Sequence, residues 1–192
     1  IRQAIASGAY PIDPKAIAKL AKERGFPAIA IADRNGLYAS QAFAGACRDM
    51  GIQPVIGTFL AVARPADLPG ASGAIDWLAL YAQNEAGWEN LCHLVSRAHL
   101  DRPLELEPHV AFAELAGHTD GLIALTGAGE GGLARLCAEN RDEGADVLCE
   151  RLEALFPGRL YIEIARRGDA VEDAAEEGLI ALAYRRDLPL VA

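Results

Sequence analysis

The chain has 192 residues, enough for one domain with a substantial core and short for two, and its 52% apolar and 23% charged residues suit an ordinary soluble globular protein. Its net charge of −9 argues against the chain wrapping nucleic acid on its own, because phosphate binding needs a basic surface. Apolar runs such as Ala28 to Ala32 are far too short to span a bilayer, and no signal-peptide pattern opens the sequence, so the cytoplasm is expected and a membrane partner is not.

The first helix is signposted by Asp13 as cap and Pro14 at the first helical position. Ile17, Leu20 and Ala21 fall on one face, Lys15, Lys19 and Lys22 on the other, and Gly25 and Pro27 end it. An apolar strand over 28–32 follows and runs into Asp33-Arg34-Asn35-Gly36-Leu37-Tyr38. A carboxylate at the C-terminal end of a buried strand is where α/β proteins place metal ligands and catalytic groups. The next residue, Arg34, is a permanent cation that cannot ligate a metal.

The alternation recurs downstream. Residues 38–50 read as a helix closed by Gly51, and Pro54 to Val62 as a strand. Arg64 to Ala74, with Pro65, Pro69, Gly70 and Gly73, reads as a loop, and Trp77 to Ala82 as a strand. Asn84 caps a helix striped by Trp88, Leu91, Cys92 and Val95. An acidic, irregular stretch from Asp101 to Pro108 leads to a short helix near 110–116. Then come a strand over Leu122–Thr126, helices over 131–139 and 143–156, the latter turning Leu148, Leu152, Leu155 and Phe156 inward, and a strand over Arg159–Ala165. A helix over 171–186 and a strand over Leu188–Val191 complete the pattern. Short strands alternating with amphipathic helices predict a parallel sheet with helical crossovers. The sequence stops inside its last strand, so the expectation is a single domain over 1–192 that is a piece of a longer polypeptide.

The side chains able to carry chemistry are few. Gly127-Ala128-Gly129-Glu130-Gly131-Gly132 is a formal G-x-G-x-x-G between a strand and a helix. It follows three earlier strands, and the acidic residue expected about 20 positions on at a strand end has no counterpart. Glu150 and Glu153 lie in a helical pattern and the next strand begins only near Leu160, so a glycine-rich turn is favoured over a dinucleotide site. His93 and His99 are six apart on one helix and share no face, while His109 and His118 flank a connecting segment. Cys47, Cys92, Cys137 and Cys149 form no C-x-x-C and read as buried thiols. Ser7, Ser40, Ser72 and Ser96 lie in no nucleophile elbow. Asp33 and Glu163 are the carboxylates placed at strand ends like the groups of a barrel active site.

Several stretches together resemble the N-terminal polymerase-and-histidinol-phosphatase (PHP) domain of bacterial DNA polymerase III alpha subunits, more the replicative than the error-prone type. They are Ile12-Asp13-Pro14-Lys15 with Ala18-Lys19-Leu20-Ala21, Phe26 to Tyr38, and Gly51-Ile52-Gln53-Pro54-Val55-Ile56-Gly57. Ala82 to Gly87, Asp120 to Gly127, Phe156 to Glu163 and Leu188 to Ala192 continue it in order over nearly the whole chain.

The resemblance implies a distorted (β/α)7 TIM-like barrel, incomplete at its C-terminal end. Active members hold up to three metal ions, often zinc or manganese, and activate water for phosphoester hydrolysis. The ligand motifs are broken here. The place of the first H-x-H falls at or before Ile1-Arg2-Gln3, which offers no histidine. Asp33 matches the aspartate of an Asp-His pair whose histidine is Arg34, and Phe59 stands where a glutamate ligand is expected. Glu163 matches the Tyr-x-Glu strand, but Arg166-Arg167-Gly168 brings arginine where a histidine should follow.

The expectation is therefore no metal, cofactor or catalytic residue in this chain, with Asp33, Arg34, Phe59, Glu163 and Arg167 as remnant positions of a dismantled site. The arginines are expected to pair with Asp33 or Glu163 in place of a metal. The implied role is a scaffold docking the polymerase core of the same chain and the proofreading exonuclease. Magnesium, deoxynucleoside triphosphates and DNA would then be handled by the rest of a DNA-directed DNA polymerase. The alternatives are a metal-dependent phosphoesterase, as a residual 3′–5′ exonuclease or pyrophosphatase, and a nucleotide-binding enzyme using Gly127 to Gly132.

Overall fold

In the computed structural model the described residues are 13–68, 74–103 and 105–192. The place expected for the first ligand motif lies outside them. Helix α1 (Pro14–Glu23) begins where Asp13 accepts from the Lys15 N–H, and buries Ile17, Ala18 and Ala21. Leu20, expected inward, is 46% exposed, because the packed stripe is centred on Ile17 and Ala21 and leaves Leu20 at its flank. Strand β1 (Ala28–Arg34), helix α2 (Ser40–Asp49), strand β2 (Gln53–Ala63), strand β3 (Ile75–Ala82) and helix α3 (Glu85–Leu100) follow. In α3 Trp88 is more exposed than its stripe predicted, while Leu91 and Leu94 carry the buried face.

The short helix expected near 110–116 is a two-residue strand, β4 (Val110–Ala111), and a 3-10 turn (Phe112–Leu115). Strand β5 (Leu122–Leu125) leads through a second 3-10 turn (Ala128–Glu130) into helices α4 (Gly132–Ala138) and α5 (Asp142–Leu155). Strand β6 (Leu160–Glu163), helix α6 (Ala170–Arg186) and strand β7 (Leu190–Val191) close the order.

The strands hydrogen-bond in the order β1-β2-β3-β5-β6-β7, with β4 alongside β2. The all-parallel expectation is corrected at one strand: β3 runs antiparallel to both β2 and β5, while β1, β2, β4, β5, β6 and β7 share a direction. The connection over 64–74 is shorter than the dozen or more residues a parallel crossover requires, so the chain returns as a hairpin. The apolar pattern of a strand buried on both faces is the same in either direction and carries no sign of this.

Among the described residues the apolar core falls into three clusters. The largest packs α3 to α6 on the outer face of the sheet through Leu60, Leu80, Leu91, Leu136, Phe156 and Leu182. A second joins α1, α2 and β1 through Ile17, Ala21, Ile31, Phe43 and Ile52. The third lies on the opposite sheet face and contains Ala32, Phe59, Ala79 and Tyr81. Each fully buried leucine or phenylalanine contributes about 1.5–3 kcal/mol. The sheet curls into a half-barrel, with an open cleft of about 870 Å³ where β1 and β7, the two ends of the strand order, come near each other; Ile29, Tyr81, Glu163 and Leu190 are among its walls.

Candidate functional site

β1 extends two residues past the apolar run, so Asp33 and Arg34 belong to the strand and pair in register with Thr58 and Phe59 of β2. Alternation then sends them to opposite faces. Asp33 is 2% exposed, and its Oδ2 accepts from the Ala39 N–H at 3.0 Å, pinning the entry to α2. Its carbonyl accepts from Thr58 Oγ1 at 3.1 Å, and that hydroxyl accepts in turn from the Gly36 N–H at 3.2 Å.

Arg34 turns to the concave face. Its guanidinium lies 4.4 Å from the Trp77 ring centroid and 5.2 Å from that of Phe59, and the two rings stack at 5.1 Å. Its Nη2 donates to Glu130 Oε2 at 2.5 Å. The expectation of an Arg34–Asp33 pair is corrected: strand alternation puts Asp33 on the far face, while the glycine-rich turn after β5 carries Glu130 directly to the guanidinium.

Arg167 differs from expectation in the same way. It donates through Nε to Glu172 Oε1 at 2.8 Å, and the Glu172 Oε2 accepts from the Arg167 N–H at 3.1 Å, so its partner is the first turn of α6 and not Glu163. The hydrogen bond from Arg167 holds the Glu172 carboxyl below its ordinary range, and the same bond raises the guanidinium. Glu163 is 4% exposed, takes a backbone bond to Thr126 Oγ1 at 3.0 Å, and lines the open cleft between β1 and β7.

The structure therefore splits the remnant positions. Arg34, Phe59 and Arg167 share one small cleft with Ala32, Gly127, Ala128 and Glu130, whereas Asp33 faces α2 and Glu163 faces the larger cleft. Glu130 and Glu172 were missed by the sequence reading. Extending the strand-end rule to the turn after each strand would have flagged Glu130, and the first-turn position of Glu172 beside an arginine pair would have flagged the other.

Asn35 is the other unforeseen element. It adopts φ +46° and is buried; its Oδ1 accepts from the Ala61 N–H at 2.8 Å and its Nδ2 donates to the Pro108 carbonyl at 2.6 Å. His99 Nε2 stands 2.7 Å from the Asn35 carbonyl, so that nitrogen carries the proton.

The glycine-rich turn is used for packing. A Cβ on Gly127 would meet the Trp77 carbonyl, one on Gly131 the Thr126 carbonyl, and one on Gly132 would stand 2.7 Å from Asp76 Oδ2. Gly129 abuts the carboxylate-bearing side chains of Asp169 and Glu172, a poor setting for a pyrophosphate.

The donor set does not fit a multinuclear metal centre. Such a centre needs several neutral imidazoles and carboxylates converging, and among the described residues no group of three or more His, Cys, Asp or Glu side chains is placed to hold an ion. The cleft presents two guanidinium groups and a phenyl ring at the corresponding positions.

Comparison with known proteins agrees with the sequence resemblance. Residues 7–167 match the family model described as PHP domain. The chain is 38% identical over 177 residues to the DNA polymerase III subunit alpha of Caulobacter vibrioides, covering 92% of this chain and 16% of that protein. It is 30% identical over 176 residues to the same subunit of Rickettsia bellii, covering 92% and 14%. It is 31% identical over 182 residues to an error-prone DNA polymerase of Symbiobacterium thermophilum, covering 87% and 16%. The chain thus spans about a sixth of the length of these relatives. Among solved structures, a protein described as a metal-dependent phosphoesterase from Bifidobacterium adolescentis shares the fold, with a TM-score of 0.59 at 15% identity over 92% of this chain and 79% of that one.

Proposed function

Because the chain belongs to the PHP domain family, we propose that it is a catalytically silent PHP domain acting as a scaffold in a DNA polymerase III alpha subunit. In this reading it docks the polymerase core of the same polypeptide and a proofreading exonuclease. The observation that carries the reading is the Arg34–Glu130 ion pair bedded on the Phe59–Trp77 stack. It occupies the face where an active member would gather ligands, and it joins β1, β2, β3 and the turn after β5 without any ion. Arginine suits this use, since its planar cation stacks on aromatic rings while its N–H groups meet a carboxylate. DNA, magnesium and deoxynucleoside triphosphates are assigned to the rest of the subunit.

A phosphoesterase reading draws on the buried carboxylates Asp33 and Glu163, which sit at strand ends as ligands would. They face different surroundings, which weakens it. Elemental analysis for zinc, manganese and iron, with phosphodiester hydrolysis assayed alongside, separates the two. The scaffold reading expects no stoichiometric metal, no turnover, and retained binding to polymerase and exonuclease partners. Two or three metal ions per chain, with turnover lost to a chelator, would overturn it.

A further inference from the structure

Away from this site, α3 passes the turn that leads into β5. His93 on α3 and His118 on the turn stack with ring centroids 3.8 Å apart and planes 20° from parallel. His93 is exposed and His118 is partly buried. The turn leans on α3 at a second point, where Asn90 Nδ2 donates to the Asp120 carbonyl at 2.9 Å. It feeds the sheet through the Gln83 N–H, which donates to the Gly121 carbonyl at 2.8 Å.

The surrounding charges do not favour a second cation here. Arg97 stands one turn beyond His93 on α3, and its nearest carboxylates are engaged: Glu114 of the 3-10 turn accepts from Arg97 at 2.9 Å and also from Arg102, while Asp101 accepts from Arg97 at 2.9 Å. Glu89, one turn before His93, is exposed, and Asp120 lies on the solvent side of the turn, 3.9 Å from Arg159. Burial, then His93, then Arg97 lower the proton affinity of His118 below its ordinary value of 6.5.

We infer that His93 and His118 form a pH-sensitive latch: the two imidazoles stack to hold the turn over 116–121 on α3, and protonation of His118, the partly buried ring of the pair, releases it. The sign follows from linkage. With the latched proton affinity lowered, the released turn binds the proton more tightly, so acidification through the ordinary histidine range favours release, and at higher pH both states are neutral.

Amide hydrogen exchange of the chain at about pH 7.5 and about pH 5.5, corrected for intrinsic rates, tests this. The amides of His118, Leu122 and Gln83 are expected to open roughly three- to tenfold more at the lower pH. His118→Gln should erase that difference and His93→Gln should shrink it, while His109→Gln, whose ring bonds the Glu107 carbonyl, should keep it. Equal opening at both pH values, or a difference that persists in full in His118→Gln, overturns the latch. Should a variant fail to fold, the imidazole resonances of the unmodified chain decide: His118 titrating at or above its ordinary value refutes the proposal, and titrating below it, together with the exchange difference, upholds it.

Discussion

Asp76 answers two guanidinium groups at once. Arg64, with a side chain only 2% exposed, donates to it through Nε at 2.7 Å and Nη2 at 2.8 Å, and Arg135 of α4 reaches it at 3.3 Å while also bonding the Ile75 carbonyl at 2.6 Å. The hydrogen bonds that Arg64 donates to Asp76 raise its guanidinium, so Arg64 stays charged where water cannot solvate it. Asp76→Asn leaves that charge uncompensated and is expected to cost about 3–5 kcal/mol in urea unfolding. Asp67→Asn, which breaks the solvent-exposed pair with Arg151, should leave the midpoint unmoved. Glu172 gives a pH-dependent counterpart. Because Arg167 holds its carboxyl below the ordinary value of 4.5, the bond contributes stability above that pH and loses it as pH falls through the lower, folded value. Glu172→Gln is therefore expected to lower the unfolding midpoint near neutrality and to match the parent once the pH lies well below the carboxylate range; a constant gap at all pH values would refute the ionic account.

The turn between β5 and α4 is the element on which the candidate site depends. Gly127 at φ +86° and Ala128 at φ +49° bend the chain so that Glu130 reaches Arg34, and the absent Cβ of Gly127 leaves room for the Trp77 carbonyl. Gly127→Ala combines a disfavoured backbone with a collision against fixed backbone, and thermal unfolding should register a loss of about 1–3 kcal/mol. This turn also marks how far the sequence could be read. The helix at 14–23 and the strand running into Asp33 follow from periods, caps and glycine stops, each a property of neighbouring residues. That Arg34 stands at a strand end beside Asp33 was legible too, because the apolar run locates it. Its partner was not: Arg34 and Glu130 are 96 residues apart, and even with Glu130 flagged by its place after a strand, no local pattern says that it meets Arg34. The reversed direction of β3 was hidden for a similar reason, since only the length of the preceding connection bears on it.

Across the whole molecule the apolar clusters are unequal, and this sets the order in which parts should open. α1, α2 and β1 share a cluster distinct from the large one that joins the helices packed against β2, β3 and β5. Among the described residues β1 is hydrogen-bonded to β2 alone, whereas β2 and β3 lie inside the sheet. Ties from the corner to the rest include the β1–β2 ladder, the Thr58–Asp33 bond, the Arg34–Glu130 pair and the bonds of Asn35 to Ala61, Pro108 and His99. A small cluster with few cross-links opens at a lower free energy than the global transition. Native-state hydrogen exchange is expected to show amides of α1, α2 and Ile31 opening as one unit below the free energy reported by Leu80 and Leu60. Phe43→Ala, which empties the centre of the smaller cluster, should weaken that unit by about 3–5 kcal/mol while leaving Leu80 protection nearly unchanged. If the variant lowers protection at Ile31 and Leu80 by the same amount, the corner and the large core fold as a single cooperative body, and the ion pair at Arg34 binds two parts of one unit instead of bridging two.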